Sequence, residues 1–332
     1  MSARTSSHSG KRAIAVLTSG GDAPGMNAAV RAVARAGIDL GMDVWGIERG
    51  YAGLLEGQFV KLDAGAVSNI IQRGGTMLRT ARSEEFMTKA GRARAARELS
   101  HRDVDTLVTI GGDGTFRGAA FIAEEQRVKV IGIPGTIDND VAFTDATIGY
   151  DTAVNTALDA IDRIRDTAAA HERFFIIEVM GRNSGHIAIA VGLACGAEAI
   201  LIPELKKDID AIATKLERGK ALGRTSSILV AAEGKKAGEV YGLSRELGKK
   251  LGVELRVVVL GHIQRGGSPT ARDRNLATRM GAAAAKAAFE GRSGVMIGER
   301  EGRIVEAPLD EVTRSKKKPE LDMYDLAEVL SR

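Results

Sequence analysis

Residues 105–140 read DTLVTIGGDGTFRGAAFIAEEQRVKVIGIPGTIDND. Two apolar, β-rich runs, Thr106–Ile110 and Val128–Ile133, flank a helical pattern from about Phe116 to Glu125. A strand, a helix and a second strand in that order predict parallel strands with a helix crossing a face of the sheet. Each strand ends in a polar loop, GGDGT at 111–115 and PGTIDND at 134–140. Glycines let main-chain N–H groups approach phosphate oxygens, and clustered carboxylates hold Mg²⁺ or accept a proton. The pair of loops points to phosphoryl transfer from a nucleotide to a hydroxyl.

The same alternation runs through the rest of the chain. Strands are expected at Arg12–Thr18, Asp43–Glu48, Asp105–Ile110, Arg173–Met180, Glu198–Ile202, Ser226–Ala232, Glu254–Leu260 and Gly294–Gly298. Helices are expected at Pro24–Gly41, Arg92–Leu99, Thr152–Thr167, Ser184–Cys195, Ile209–Gly219, Glu239–Leu251 and Pro269–Phe289. The fold class is α/β with mainly parallel sheets and helices on both faces, in a chain of 332 residues that has room for two lobes. Six polar loops, SGGDAPGMN, GGDGT, PGTIDND, MGRNSG, AAEG and GHIQRGG, each follow the C-terminal end of a strand. Ligands bind outside those ends in open α/β sheets, so the loops predict one extended site or two facing halves of a cleft. Lys316–Pro319 reads as an exposed connector, and residues 1–10, MSARTSSHSG, as a disordered tail without the apolar core of a signal peptide.

Composition narrows the class further. A hydrophobic content of 44% and a charged content of 27% describe an ordinary soluble globular protein. The net charge of +4 comes from scattered basic residues without interleaved aromatics, which argues against nucleic acid as a partner. Cys195 is the one cysteine, so no intrachain disulfide forms and a reducing cytosol fits. It lies in the apolar stretch Ile187–Cys195 and reads as a small buried hydrophobe. Ile187–Pro203 is too short to span a bilayer and is interrupted by Glu198 and glycines, so no membrane segment is expected and the protein reads as cytoplasmic.

Individual motifs carry alternatives. No GxxxxGK[ST] occurs, which excludes a P-loop enzyme. His101-Arg102-Asp103 imitates a protein-kinase catalytic loop, but Val108 stands where the asparagine belongs, and the triplet reads as a helix-to-strand junction. Gly20, Gly21 and Gly25 sit at a strand-to-helix turn suited to anion binding or simply to a tight connection. Asp113 opens a helix, as a metal ligand or as an N-cap. Asp138 and Asp140 bracket Asn139; two close carboxylates divide into a base and a metal- or water-orienting group, or merely form an Asx turn. Arg182, His262 and Arg265 place phosphate donors at further strand ends.

In this order, and over nearly residues 12–330, LTSGGDAPGMNA, IGGDGT, GIPGTIDND, EVMGR and VLGHIQRGGSP resemble the 6-phosphofructokinase family. NAD kinases and lipid kinases share GGDGT but give no reason for MGR or GHIQRGG. The resemblance implies two similar three-layer α/β/α lobes with the active site in the cleft between them. Residues 11–149 and 264–314 would form the ATP-binding lobe, and 150–263 and 315–332 the sugar-phosphate-binding lobe. It implies Mg²⁺-dependent transfer of the γ-phosphoryl of ATP to the 1-hydroxyl of fructose 6-phosphate and, in the bacterial form, a homotetramer. By motif, Asp138 is the base, Asp113 the Mg²⁺ ligand and Asp140 a support for metal or loop, while Thr136 and Arg182 steady the transferring group. Gly21, Arg82, Ser83, Gly112, Gly114 and Thr115 line the ATP site. Met180, Gly181 and Glu233 contact the sugar, and His262 and Arg265 grip its 6-phosphate. Arg173 and Arg256 match arginines that the family supplies from a neighbouring subunit.

Pyrophosphate-using relatives typically carry Asp at the position of Gly114 and Lys at that of Gly135. Two glycines here leave room for ATP, and a pyrophosphate-dependent phosphotransferase is the alternative. Arg31, Arg35, Arg165, Glu198 and Arg224 match the bacterial effector site for ADP and phosphoenolpyruvate. Ala64, Asn69, Leu222 and Thr225 depart from it, which predicts reduced or altered allostery. A sugar-phosphate sensor is a third reading, and it would need neither Asp113 nor Asp138.

Overall fold

In the computed structural model, which describes residues 12–206, 208–234 and 238–331, the apolar run Ala13–Thr18 forms β1 and is buried at every position. An uninterrupted apolar strand needs cover on both faces, which the interior of a parallel sheet provides. The chain continues through α1 (Met26–Asp39), β2 (Asp43–Ile47), α2 (Gly50–Leu55), β3 (Phe59–Lys61), α3 (Lys89–Ser100), β4 (Val104–Gly111), α4 (Asp113–Gln126) and β5 (Lys129–Pro134). Next come α5 (Tyr150–Ala170), β6 (Phe174–Val179), α6 (His186–Ala194), β7 (Ala199–Leu201), α7 (Ile209–Ala221), β8 (Ser227–Ala232), α8 (Glu239–Leu251) and β9 (Leu255–Val259). The last elements are α9 (Ala271–Phe289), β10 (Val295–Arg300), β11 (Arg303–Pro308), α10 (Leu309–Arg314) and α11 (Leu321–Leu330).

Two sheets result. The first has seven strands in the order β11-β10-β5-β4-β1-β2-β3, parallel except for its two edges, β11 and β3. The second has four parallel strands in the order β7-β8-β6-β9. Chain order reverses between β1 and β4 in the first sheet and at β6 in the second, and at such reversals the loops diverge and leave a crevice. One apolar cluster joins the sheets, running from Val16 and Ile133 through to Ile177 and Val230.

Two helix contacts fix how the layers meet. On α9, a Cβ at Gly281 would lie 2.7 Å from the Ala29 carbonyl oxygen and from the Ala32 methyl, so the bare glycine lets α9 press against α1. The first turn of α5 follows Gly149, which has no side chain to cap it. Asp273 of α9 does so instead, accepting from the Gly149 N–H at 2.9 Å, the Thr152 N–H at 2.8 Å and the Thr152 hydroxyl at 2.5 Å. These bonds tie a helix packed on the first sheet to one that leads into the second.

The expected strands and helices are present with ends shifted by a few residues. Five of the strands and α-helices were not foreseen: α2, β3, β11, α10 and α11. Most are six residues or shorter, and β3 and β11 are half-polar edge strands whose pattern is weak. The expected disordered tail, residues 1–10, lies outside the described residues.

Candidate active site

The three loops of the first sheet leave β5, β4 and β1, which are neighbours, and those of the second leave β8, β6 and β9, also neighbours. They converge on Asp138. This residue is 8% exposed, and its main-chain carbonyl, in the loop after β5, accepts from the hydroxyl of Ser184, in the loop after β6, at 3.4 Å. Burial raises the Asp138 pKa to about 6, and the negative charges of Asp140 and Glu233 add to the effect while Arg265 and Arg182 oppose it. The acid is therefore poised near neutrality and faces groups from four different loops. Asp140 and Asp113 are also raised, chiefly by burial, with Asp140 adding repulsion at Asp113. Asp113 stands in the first turn of α4, its Oδ2 is 3.8 Å from Arg117, and its buried Oδ1 has no hydrogen-bond partner.

The acid loop is held from behind by Asn139, Thr136 and one residue that sequence reasoning missed, Thr147. Asn139 takes a left-handed conformation, φ 52°, and its side-chain oxygen accepts from the Thr147 N–H at 3.1 Å. The Thr147 hydroxyl donates to the Thr136 carbonyl at 2.6 Å. Asparagine tolerates left-handed backbone and bonds locally, so Asn139 turns the chain while its neighbours face the cleft. The Thr136 hydroxyl accepts from the Asp138 N–H at 3.3 Å, and the threonine itself is half-buried.

On the side of the glycine loops, a Cβ at Gly21 would overlap the Arg265 guanidinium. Arg265 thus lies directly over the loop after β1 while its charge also reaches Asp138. Its Nε is buried without a hydrogen-bond partner. A Cβ at Gly112 would meet the Thr136 side chain at 3.5 Å, and one at Gly114 would meet nothing within 4 Å. Gly135 differs: a Cβ there would lie 2.9 Å from Ile110 and 3.2 Å from Met26. Glycine at 114 leaves open space, whereas glycine at 135 is required by packing. The Thr115 hydroxyl donates to the Ser19 carbonyl at 2.9 Å, so its side chain braces two loops against each other. Arg82 is exposed, and the Ser83 hydroxyl accepts from the Phe86 N–H at 3.2 Å. Both follow a stretch anchored by Thr80, whose hydroxyl donates to Gly20 at 2.9 Å.

On the opposite wall, Gly181 is buried and Arg182 exposed. Glu233 is half-buried, and its N–H donates to Val179 at 2.8 Å. His262 is exposed and Arg265 half-buried on a 3₁₀ turn, Gly261–Arg265. Gln264, absent from the expectations, is fully buried between them: its side-chain oxygen accepts from the Met180 N–H at 2.8 Å and its amide donates to Ala153 at 3.4 Å. One side chain thus fixes the 261–265 turn to the end of β6. The only signal for it in the sequence was its place inside GHIQRGG.

Lys316–Pro319 does not run free over the surface as expected. Lys317 is half-buried, its ammonium donates to the Asp145 carbonyl at 2.6 Å and its N–H to the Asp140 carbonyl at 3.4 Å. Three adjacent lysines look like a solvated run, but an acid loop beside them provides partners. Behind them His186 is buried, which together with the charge of Lys317 lowers its pKa to about 4, so it is neutral.

Some expected site residues are not brought to this cleft. Arg173 precedes β6 and Arg256 is the second residue of β9, at the ends remote from Met180; six strand residues separate the two ends by roughly 20 Å. Arg165, Glu198 and Arg224 gather near those same remote ends, bonded to the Cys195 carbonyl (2.6 Å), the Ile228 N–H (2.7 Å) and the Ser331 carbonyl (3.1 Å) respectively. Arg31 and Arg35 lie on α1 against the first sheet, and Arg35 donates to the Ala64 carbonyl at 3.3 Å.

A buried base near neutrality, an acid at a helix N-terminus with a free oxygen, and arginines across a cleft of glycine loops define a phosphotransferase acting on a hydroxyl. Residues 13–288 match the family model of phosphofructokinase, and the chain belongs to that family. It is 57% identical to ATP-dependent 6-phosphofructokinase 1 of Thermus thermophilus over 318 residues, 96% of this chain and 99% of that protein. It is 50% identical to the ATP-dependent enzyme of Halothermothrix orenii over 328 residues, with the same coverage of both chains. Among solved structures it resembles phosphofructokinase from Saccharomyces cerevisiae, with a TM-score of 0.84 and 37% identity over 96% of this chain, which spans 47% of the yeast chain. A pyrophosphate-dependent phosphofructokinase from Marinobacter aquaeolei gives a TM-score of 0.82 at 25% identity, over 94% of this chain and 86% of that one.

Proposed function

We propose that this protein is an ATP-dependent 6-phosphofructokinase, transferring the γ-phosphoryl of ATP to the 1-hydroxyl of fructose 6-phosphate to give fructose 1,6-bisphosphate and ADP. The observation that carries the reading is the environment of Asp138: buried, raised to about 6, and faced by Arg265 and Arg182. At neutral pH the carboxylate is ionised, and it is more basic than an ordinary aspartate, so it takes the hydroxyl proton as the oxygen attacks phosphorus. Arg182 and Thr136 face the transferring group, and Arg265 and His262 receive the sugar phosphate. The N–H groups of residues 111–114, where α4 begins, receive the nucleotide phosphates.

The donor set fits Mg²⁺. Among the described residues no group of three or more acids, histidines or cysteines could hold a metal alone. Mg²⁺ in phosphoryl-transfer sites takes one or two carboxylates and completes its shell with phosphate oxygens and water. Asp113, with its unpaired buried Oδ1, would hold it, with Asp140 in support; when bound, the ion neutralises charge on the phosphate oxygens. The open space at Gly114 supports ATP as the donor, because an aspartate there would project a charge toward the nucleotide.

The position of Arg173 and Arg256 supports a homotetramer in which each cleft borrows these arginines from a neighbour. It also supports an effector site completed between subunits by Arg31 and Arg35 of one and Arg165, Glu198 and Arg224 of another, with weakened allostery. The lobe boundaries at 149/150, 263/264 and 314/315 and a cytoplasmic location belong to the same reading; among the described residues no helix is long and apolar enough to cross a membrane. Phosphorus NMR of the product tests the chemistry. A new phosphate ester at C1 is expected, and ATP hydrolysis without sugar phosphorylation contradicts the proposal.

A further inference from the structure

The acid loop has supports on three sides. Ser184 holds the Asp138 carbonyl, Thr147 holds Asn139, and the third support is Lys317, from the irregular segment between α10 and α11. Lys317 directs its N–H and its ammonium inward. Its N–H bonds to the Asp140 carbonyl and its ammonium to the Asp145 carbonyl, so one residue closes both ends of the 140–145 turn. Beside it, at the start of α6, lies the buried His186. The segment lies where the chain passes from α10, packed with α4 on the first sheet, to α11, packed with α6 beside the second.

Burying an ammonium is unfavourable unless charge or hydrogen bonds compensate, and a methionine of similar length would fill the same space without that cost. The compensation is specific. The lysine charge acts on Asp140, and exposed Lys316 acts on both Asp140 and Asp113. These cations offset the mutual repulsion of carboxylates that must stay ionised close together.

We propose that Lys317 is a positioning residue for phosphoryl transfer: by pinning the Asp140 and Asp145 carbonyls and setting a positive charge behind the acid loop, it holds Asp138 and Asp140 in their working geometry. This rests on the reading of Asp138 and Asp140 as phosphotransfer residues. Both polar groups of Lys317 are spent on the acid loop, so its effect falls on turnover rather than on binding of the sugar phosphate.

The test compares Lys317→Met, Lys317→Arg and the exposed neighbour Lys318→Met in the full-length protein. It measures kcat, the KM for fructose 6-phosphate and the thermal unfolding midpoint. Lys317→Met is expected to lower kcat about 10- to 100-fold, the range seen when groups orienting a site's ligands are removed. Its KM should stay within about 2-fold and its midpoint within about 2 °C of wild type, the shift that roughly 1 kcal/mol gives in a chain of this size. Lys317→Arg should recover most of the turnover, and Lys318→Met should match wild type. Unchanged turnover in Lys317→Met overturns the inference. So does an equal loss in both Lys317 variants accompanied by a large fall in the midpoint, which would mark the residue as structural only. A wild-type protein without phosphotransferase activity overturns the functional reading and this inference together, whereas an active wild type indifferent to Lys317→Met overturns the inference alone.

Discussion

Burial lifts Asp138 from an ordinary value of 3.8 to about 6, so folding favours its protonated form. The stabilising contribution is complete below the unfolded value and is lost as pH rises through about 6, leaving a carboxylate at neutral pH that opposes folding. The proposed catalysis needs that carboxylate, so on this reading function and stability conflict at this one side chain. Asp138→Asn is expected to lower kcat about 10²- to 10⁴-fold, the range for a lost general base, with little change in KM. It should also raise the unfolding free energy at pH 7, by at most about 3 kcal/mol, and denaturant titration checks this. For the wild type, kcat/KM should fall on the acid side of pH 6, following protonation of the free enzyme's base. At Gly114 the prediction concerns the donor. A Cβ there meets nothing within 4 Å, so Gly114→Asp should fold normally while raising the KM for ATP about 10-fold or more through like-charge repulsion. An unaltered KM for ATP would remove the electrostatic basis for donor choice at this position.

At the scale of elements, the contact between α9 and α5 should be a weak point if disturbed. Asp273→Ala strands two N–H groups at the buried start of α5, and a loss of about 2–4 kcal/mol is expected from the missing cap and unmet donors. Equilibrium unfolding in urea measures it directly. This capping aspartate also shows what the sequence could and could not disclose. Strands such as β1 and β8 were legible because burial on both faces demands an unbroken apolar run, and the acid and glycine loops because their residue types are tied to phosphate chemistry. Asp273 was not, since its partners Gly149 and Thr152 lie more than a hundred positions away and nothing local marks the contact. Gln264 and Lys317 were missed for the same reason. Their side chains serve backbone carbonyls and N–H groups of remote loops, which leave no pattern around them. Gly135 was read with Gly114 as leaving room for ATP, yet its bareness answers to Ile110 and Met26 across the core.

For the whole molecule, two wound sheets turn the C-terminal ends of their strands toward one cleft, and a shared apolar cluster keeps them in register. The arrangement places the glycine loops and Asp113 on one wall and Arg182, His262 and Glu233 on the other, with Asp138 between them. Arg173 and Arg256 sit at the far end of their sheet from the cleft, and under the proposed sharing of these arginines a working site needs a second copy of the chain. Co-expressing Asp138→Ala with Arg256→Ala should therefore yield activity that neither variant has alone; if the mixture stays inactive, the arginine does not cross between subunits. The central claim, transfer from ATP to fructose 6-phosphate, is tested most directly by steady-state assay of the purified protein with fructose 6-phosphate and Mg²⁺, supplied with either ATP or pyrophosphate. The account predicts fructose 1,6-bisphosphate formation with ATP and none above background with pyrophosphate, and turnover with pyrophosphate equal to or faster than with ATP would contradict it.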